Sequence, residues 1–363
     1  LGADSMQYET WLNSMPGIRL ETRNKIRHYV RDAKELYELP DKMIDAMTRL
    51  TEAEKEKIKQ GKKCKNLAEE YEKLEKMGIS FVTIGDSRYP KKLKEIINAP
   101  DALYVKGKLP EENEFLAAIV GARCCSEYGK AEALKIAGHL SDCGVKIVSG
   151  MARGIDGSAH YGALKENGTS YAVLGCGVDV CYPSEHQNLY DEILIEGGIF
   201  SEYPPGRPPI AAQFPQRNRI ISGISDIVIV IEARERSGSL ITADFALEQG
   251  KDVYALPGRI SDSLSRGCNR LIKDGAGMIL SAEDLQKDLC LSRKICGANE
   301  KNKRKPLEKQ QMVVYSCLDL HAKSMDEIIL ESGLELLEVS SILSELVQKG
   351  YVREIFKNYY IRS

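Results

Sequence analysis

The sequence predicts an α/β protein: a doubly wound parallel sheet preceded by a helical module and followed by a small module of helices and a hairpin. Three observations carry this reading. Between 78 and 280, short Val/Ile-rich runs alternate with stretches of helical period, as in strands buried on both faces by crossover helices. Residues 6–75 are rich in Lys, Glu, Leu and Ile and hold no strand-like run. A polar, basic tract over 293–309 separates this body from three amphipathic stretches and two short β-type runs.

In chain order, Leu1–Ser5 precede Met6 and read as a cloning remnant outside the fold. Within the helical module over 6–75, Met15-Pro16-Gly17-Ile18 followed by Glu21–Ile26 resembles a helix-hairpin-helix, whose Pro-Gly turn offers backbone N–H groups to a phosphate. A plain helical bundle accounts for the same residues equally well. Strands are expected near 79–84, 102–105, 117–121, 145–149, 170–174, 198–201, 226–231, 252–255 and 277–280, and helices near 127–142, 156–167, 186–196 and 240–249. Together, over 78–290, they describe an extended Rossmann-like domain, in which ligands bind at the carboxyl ends of the strands. The tract 293–309, with Lys301–Pro306, reads as a flexible linker.

Over 310–363, helices near 308–319, 324–332 and 335–349 precede a hairpin of 351–356 and 359–362 turning at Lys357-Asn358, the pattern of a winged helix. Its third helix carries Glu335, Glu338 and Glu345 against Lys349. A helix of that sign enters a phosphate-lined groove poorly, which favours a protein-contact or structural role.

The 363 residues and 43% hydrophobic content suffice for a large core with flanking modules. A net charge of -2 excludes a surface that binds polyanions as a whole and confines any nucleic-acid site to a local basic pocket. Neither an apolar run of about 18 residues nor an export-type N-terminus occurs, so a soluble cytoplasmic protein is expected. The ten cysteines form no Cys-x-x-Cys pair; Cys124, Cys143, Cys176 and Cys317 lie among apolar neighbours and read as free buried thiols, with no structural metal expected.

Three strand-to-helix transitions carry glycine and arginine together: Gly121-Ala122-Arg123, Ser149-Gly150-Met151-Ala152-Arg153-Gly154, and Arg217-Asn218-Arg219 with Ser237-Gly238-Ser239 beyond the next strand. Glycine admits a phosphate close to the backbone, a helix start supplies unpaired N–H donors, and arginine grips phosphate at two points. None of the loops is a Walker A or Gly-x-Gly-x-x-Gly sequence, so neither a nucleoside triphosphate nor a dinucleotide is the expected ligand. Arg123, Arg153, Arg217 and Arg219 are the expected phosphate ligands, in or beside loops at the strand carboxyl ends. A single arginine would be read as an ion pair, and Arg217 has that alternative with Glu202 or Glu232. Gly121, Gly150, Gly154 and Gly238 permit close approach, Ser149 and Ser239 offer hydroxyls, and Asn218 orients the pocket or reads a base edge. Tyr128, Tyr203 and Phe214 are stacking candidates, although aromatics in such a domain more often belong to the core.

These segments resemble the bacterial DNA-processing family called DprA or Smf. The resemblance covers roughly 80–285. It rests on Val120–Arg123, Ser149–His160, Val173–Asp179 with Tyr182-Pro183, Ser201–Pro204, Phe214–Ile221, Ser237–Ala243 and Ala255–Gly258. It implies a dimer that binds single-stranded DNA without catalytic turnover or cofactor. It further implies help in loading the recombinase RecA, in natural transformation, onto DNA that single-strand-binding protein would occupy. A sterile-alpha-motif-like helical domain and a terminal winged helix are implied as well. Family members often carry Lys where Arg153 stands; the charge is kept. Three rival readings exist. Ser149, Asp156 and His160 suggest a hydrolase triad, but no Gly-x-Ser-x-Gly elbow surrounds Ser149. A nucleotide-processing enzyme of the lysine-decarboxylase-like or LOG type would need Pro-Gly-Gly-x-Gly-Thr, and Ser237–Thr242 lacks the double glycine. A winged-helix transcription regulator would need a basic reading helix.

Overall fold

A computed structural model describes residues 3–63, 66–291, 309–319, 322–349 and 351–362. The basic linker expected over 293–309 lies, up to residue 308, outside the described residues. The chain divides into two compact units, one of residues up to 124 and 133–292, the other of 125–132 and the residues after 292.

The first unit begins with six helices, α1 (Ala3–Ser14), α2 (Leu20–Ile26), α3 (Ala33–Glu38), α4 (Asp41–Asp45), α5 (Glu52–Gly61) and α6 (Leu67–Lys76). Helix α1 thus includes Ala3, Asp4 and Ser5, which the sequence alone places outside the fold. Short polar caps start these helices: Asp32 accepts from the Glu35 N–H, and Thr51 with Glu54 forms a capping box. Trp11, Leu12, Ile26, Leu36, Ile44 and Ile58 close one core among them. Gly17, at φ +79°, makes the turn between α1 and α2.

The sheet follows: β1 (Ile79–Thr83), α7 (Lys91–Lys94), β2 (Ala102–Gly107), β3 (Leu116–Gly121), α8 (Glu127–Asp142), β4 (Lys146–Ser149), α9 (Ile155–Lys165) and β5 (Ser170–Val173). A 3₁₀ turn over Ser184–His186 leads into α10 (Gln187–Glu196) and β6 (Gly198–Ser201). Then come α11 (Gln213–Ile224), β7 (Ile227–Ile231), α12 (Gly238–Glu248), β8 (Asp252–Ala255), α13 (Arg266–Lys273), β9 (Gly277–Met278) and α14 (Ala282–Asp288).

Nine strands form one sheet in the order β1-β2-β6-β5-β4-β3-β7-β8-β9. The seven from β6 to β9 are parallel, but β2 runs antiparallel to both β1 and β6, which corrects the expectation of an all-parallel sheet. Only eight residues separate β2 from β3, and β2 joins β1 as a strand pair at the sheet's end, away from the crossover units. Strand side chains alternate between two cores. Tyr171, Val173, Phe200, Val228 and Val230 pack with Ile220, Ile221 and Ile224 of α11 and Ala243 and Ala246 of α12. Ala172 and Ile199, one residue out of step, pack with Leu189 and Ile193 of α10. Helices therefore cover both faces, and the central strand Ile227–Ile231 is buried throughout.

The winding reverses between β3 and β7: β4, β5 and β6 stack to one side of β3, and β8 and β9 follow β7 on the other. Ahead of β2, Asp101 receives Arg23 Nε at 2.7 Å and Arg27 Nη2 at 2.9 Å, so one buried carboxylate ties the α2 region to the sheet.

The second unit holds α15 (Lys309–Cys317), β10 (Lys323–Ser324), α16 (Met325–Ser332), α17 (Leu336–Gln348), β11 (Val352–Phe356) and β12 (Tyr359–Arg362). Its three strands pair in the order β10-β12-β11, and the two-residue β10 is too short to show a period in the sequence. Val314, Ile328, Val339, Leu343 and Leu346 form its core, and Gly333, at φ +67°, ends α16.

Candidate functional site

Where the winding reverses, the loops after β3 and β7 part and leave a cleft at the strand carboxyl ends, the place where ligands enter such sheets. Its volume is roughly 650 Å³. Gly121–Cys124 line it from the end of β3, Arg234, Arg236 and Ser237–Ser239 from the end of β7, and Phe214, Pro215, Arg217 and Asn218 from the first turns of α11. Tyr182 closes one side. No helix of the described residues is long and apolar enough to cross a membrane.

Phe214 is the centre of the arrangement. The Arg123 guanidinium lies 5.1 Å from its ring centre and that of Arg217 5.9 Å, while the Tyr182 ring is 5.5 Å away. Aromatic faces attract cations, so the ring holds two guanidiniums near it. Arg123, Arg234 and Arg236 are exposed, and none has an ion-pair partner among the described residues. Helix α12 starts beside them, its N-cap Ser237 accepting from the Ser239 N–H, and its dipole adds partial positive charge.

Arg217 and Arg219 differ from expectation. Both lie on α11 rather than in a loop, and both are buried. Arg217 donates to the carbonyls of Gly150, at 2.9 Å, and Val173, the ends of β4 and β5. Its Nε reaches Asn218 Oδ1 at 3.2 Å, and Asn218 Nδ2 reaches Gly238 O at 3.2 Å. Burial, with Arg123 nearby, lowers the Arg217 pKa to about 10, and the neighbouring Asp156 charge opposes that shift. Asp156 is itself pushed above the usual carboxylate range by burial, against the pull of Arg217 and an N–H from Gly150 at 3.2 Å. The ion pair foreseen for Arg217 with Glu202 is made instead by Arg219, bidentate at 2.8 and 2.6 Å, with both side chains about nine-tenths buried.

The remaining expected residues divide. Gly121, Asn218, Gly238 and Ser239 line the cleft. Ser149, Gly150, Arg153 and Gly154 do not. Ser149 Oγ donates to Ile119 O at 2.6 Å and faces inward. Arg153 is exposed and paired with Glu185 at 2.6 and 2.7 Å. The glycines answer to packing: a Cβ at Gly121 would stand 1.8 Å from Ile231 O, and one at Gly150 2.5 Å from the Arg217 guanidinium. Gly154 combines φ +75° with a contact of 2.3 Å to Ala122 O at its Cβ position, whereas Gly238 faces open space. Tyr203 turns its hydroxyl to Gln216 at 3.3 Å. Cys124, expected buried, is exposed at the cleft.

The lining residues missed include Tyr182, Arg234 and Arg236, which carry an aromatic ring and two exposed charges. Arg234-Glu235-Arg236 directly precedes the Ser237-Gly238 turn, which was a usable signal. Ser149, Asp156 and His160, the suspected triad, share no hydrogen bond; His160 Nδ1 pairs with Ser170 Oγ at 2.7 Å.

Residues 80–290 match the family described as DNA recombination-mediator protein A. The DNA processing protein DprA of Streptococcus pneumoniae is 43% identical over 220 residues, 61% of this chain and 76% of its own length. The X-ray structure of DprA from that organism superposes with a TM-score of 0.68 at 37% identity, covering 78% of this chain and 97% of the other. The DNA processing protein A structure from Helicobacter pylori, described for its single-stranded DNA binding mode, gives 0.54 at 30% identity over 58% and 95%. With the matched region spanning the sheet and every residue of the cleft, the chain belongs to the DNA recombination-mediator protein A family.

Proposed function

We propose that the cleft between β3 and β7 binds the backbone and bases of single-stranded DNA, and that the protein mediates recombination by holding that strand rather than by turning it over. The observation that carries this is the grouping of three exposed arginines, Arg123, Arg234 and Arg236, around the Tyr182–Phe214 pair at the strand ends. Phosphates meet guanidiniums and helix N–H groups, while unpaired bases meet aromatic faces. The Helicobacter pylori relative, described for its single-stranded DNA binding mode, supports the same ligand here. Arg217 and Asn218 form the floor, Arg219 holds α11 through Glu202, Gly238 and Ser239 present the α12 start, and Arg153 joins when its exposed pair with Glu185 opens, a pair of small worth. Ser149, Gly150, Gly121 and Gly154 shape the strand ends that carry these groups.

A non-catalytic role is supported by the inward-facing Ser149 and by a His160 that pairs with Ser170 instead of with a nucleophile. The reading extends to the rest of the chain: an extended Rossmann-like domain over 78–290, a helical, sterile-alpha-motif-like domain over 6–75 and a winged helix over 310–363. The partners are RecA, single-strand-binding protein and a second copy, in a cytoplasmic protein of natural transformation.

The test is fluorescence anisotropy of labelled oligothymidine, with same-length duplex and nucleoside monophosphates as competitors. Wild type is expected to prefer the single strand, and Arg123→Ala with Arg236→Ala to weaken it tenfold or more. Competition by monophosphates at comparable concentration would replace this reading with nucleotide processing.

A further inference from the structure

The second unit displays a surface that its fold does not use. Helix α17 buries Val339, Ile342, Leu343 and Leu346, a stripe at helical spacing that already completes the small core. Leu336 and Leu337, at its start, stand 56% and 81% exposed, and Leu330, just before the tight turn at Gly333, 85% exposed. Three leucines in water at one helix–helix corner have no structural task there. The same corner is acidic: Glu331, Glu335 and Glu338 are exposed there, and Asp326 is exposed in the first turn of α16. Lys323 of β10, bound to Glu331 at 2.6 Å, answers one of these carboxylates, and the described residues of α16 and the first turn of α17 hold no Lys or Arg.

We propose that this corner is a docking site for a basic amphipathic helix of another protein, whose apolar side chains cover Leu330, Leu336 and Leu337 while its Lys and Arg residues meet the carboxylates. Charge complementarity selects this occupant. A DNA duplex is repelled, because the carboxylates would face phosphates. A second copy of the corner brings the same sign, and like charges across an interface disfavour it. The basic tract of the chain itself, Lys301–Pro306, carries no large apolar residue to cover the leucines. A helix with apolar residues at i, i+3, i+4 and i+7 supplies both halves of the match. The site is independent of the DNA cleft, and its failure would leave that reading untouched.

The experiment uses the full chain and a fluorescent peptide of about 15 residues, composed of Leu, Lys and Ala with leucines at that helical spacing. An isomer of equal composition with the leucines scattered is the control. The ordered peptide is expected to bind at physiological ionic strength at least tenfold more tightly than the isomer. Leu330→Ser with Leu337→Ser is expected to weaken it about tenfold with an unchanged melting temperature, and Glu331→Gln with Glu338→Gln to weaken it and flatten its salt dependence. Equal binding of the two peptides, undiminished binding to the leucine variant, or no binding would overturn the proposal. So would loss of duplex DNA affinity in the leucine variant, which would make the corner a DNA-reading face.

Discussion

At the scale of single residues, the site separates charges that hold the protein together from charges left for a ligand. Arg219 and Glu202 form a buried bidentate pair. Removing one member strands the other, at a cost of about 3–5 kcal/mol. Arg219→Ala should therefore lower the urea midpoint strongly, whereas Arg123→Ala should leave it unchanged and act on DNA affinity. Each arginine that meets a phosphate of the single strand should, once replaced by alanine, reduce the log–log salt slope by about 0.7, measurable by anisotropy titrations across ionic strength. His160 gives a pH signature. Burial lowers its pKa to about 3, so the folded state refuses a proton that the unfolded chain accepts near 6.5. Its contribution to stability is complete above pH 6.5 and is lost as pH falls from there towards 3, at about 1.4 kcal/mol per unit. His160→Asn, which keeps a donor towards Ser170, should flatten the fall in unfolding free energy between pH 6.5 and 5; an unchanged slope would assign the acid sensitivity elsewhere. None of this partition was legible in the sequence. Arg123 and Arg219 are the same letter, and only the buried position of α11 against Glu202 and Asn98 distinguishes them.

At the scale of elements, the sheet was legible and its exceptions have causes. Ile227–Ile231 is an unbroken apolar run because both faces are covered, and the expected strand near 226–231 follows from that. Helix α11 escaped because its first turns are polar and hold Pro215, and only Ile220, Ile221 and Ile224 show its period. A proline in the first turn costs no helical hydrogen bond, so it misleads without harming the helix. Two glycines now make opposite predictions. Gly121→Ala would drive a methyl into Ile231 O and separate β3 from β7, so a large drop in melting temperature or loss of folded protein is expected. Gly238→Ala meets open space at the first residue of α12 and should change stability by no more than about 1 kcal/mol. If it weakens oligothymidine binding while the protein stays stable, DNA lies against that helix start; unchanged binding would remove Gly238 from the interface.

At the scale of the whole molecule, a net charge of -2 coexists with a cationic cleft because Arg123, Arg217, Arg234 and Arg236 line it with Asp156 as their acidic neighbour there, and composition alone could bound but not locate the site. Every residue lining the cleft belongs to the first unit. A chain ending at Leu291 should accordingly retain oligothymidine affinity within about threefold, and a larger loss would implicate the second unit in the strand's path. The carboxylate at Asp101 has a further consequence. Because Arg23 and Arg27 both converge on a residue that leads into β2, the N-terminal helices and the sheet share a charged anchoring point beside the apolar packing of Met6 and Leu74 on Ile79, Phe81 and Tyr104. Shared anchors make melting cooperative: the helices cannot loosen without exposing a charged group inside the sheet's own boundary. Calorimetry of the truncated chain should then record a single heat absorption, and Asp101→Asn should part it into two, the helices melting first and the nine-stranded sheet surviving them.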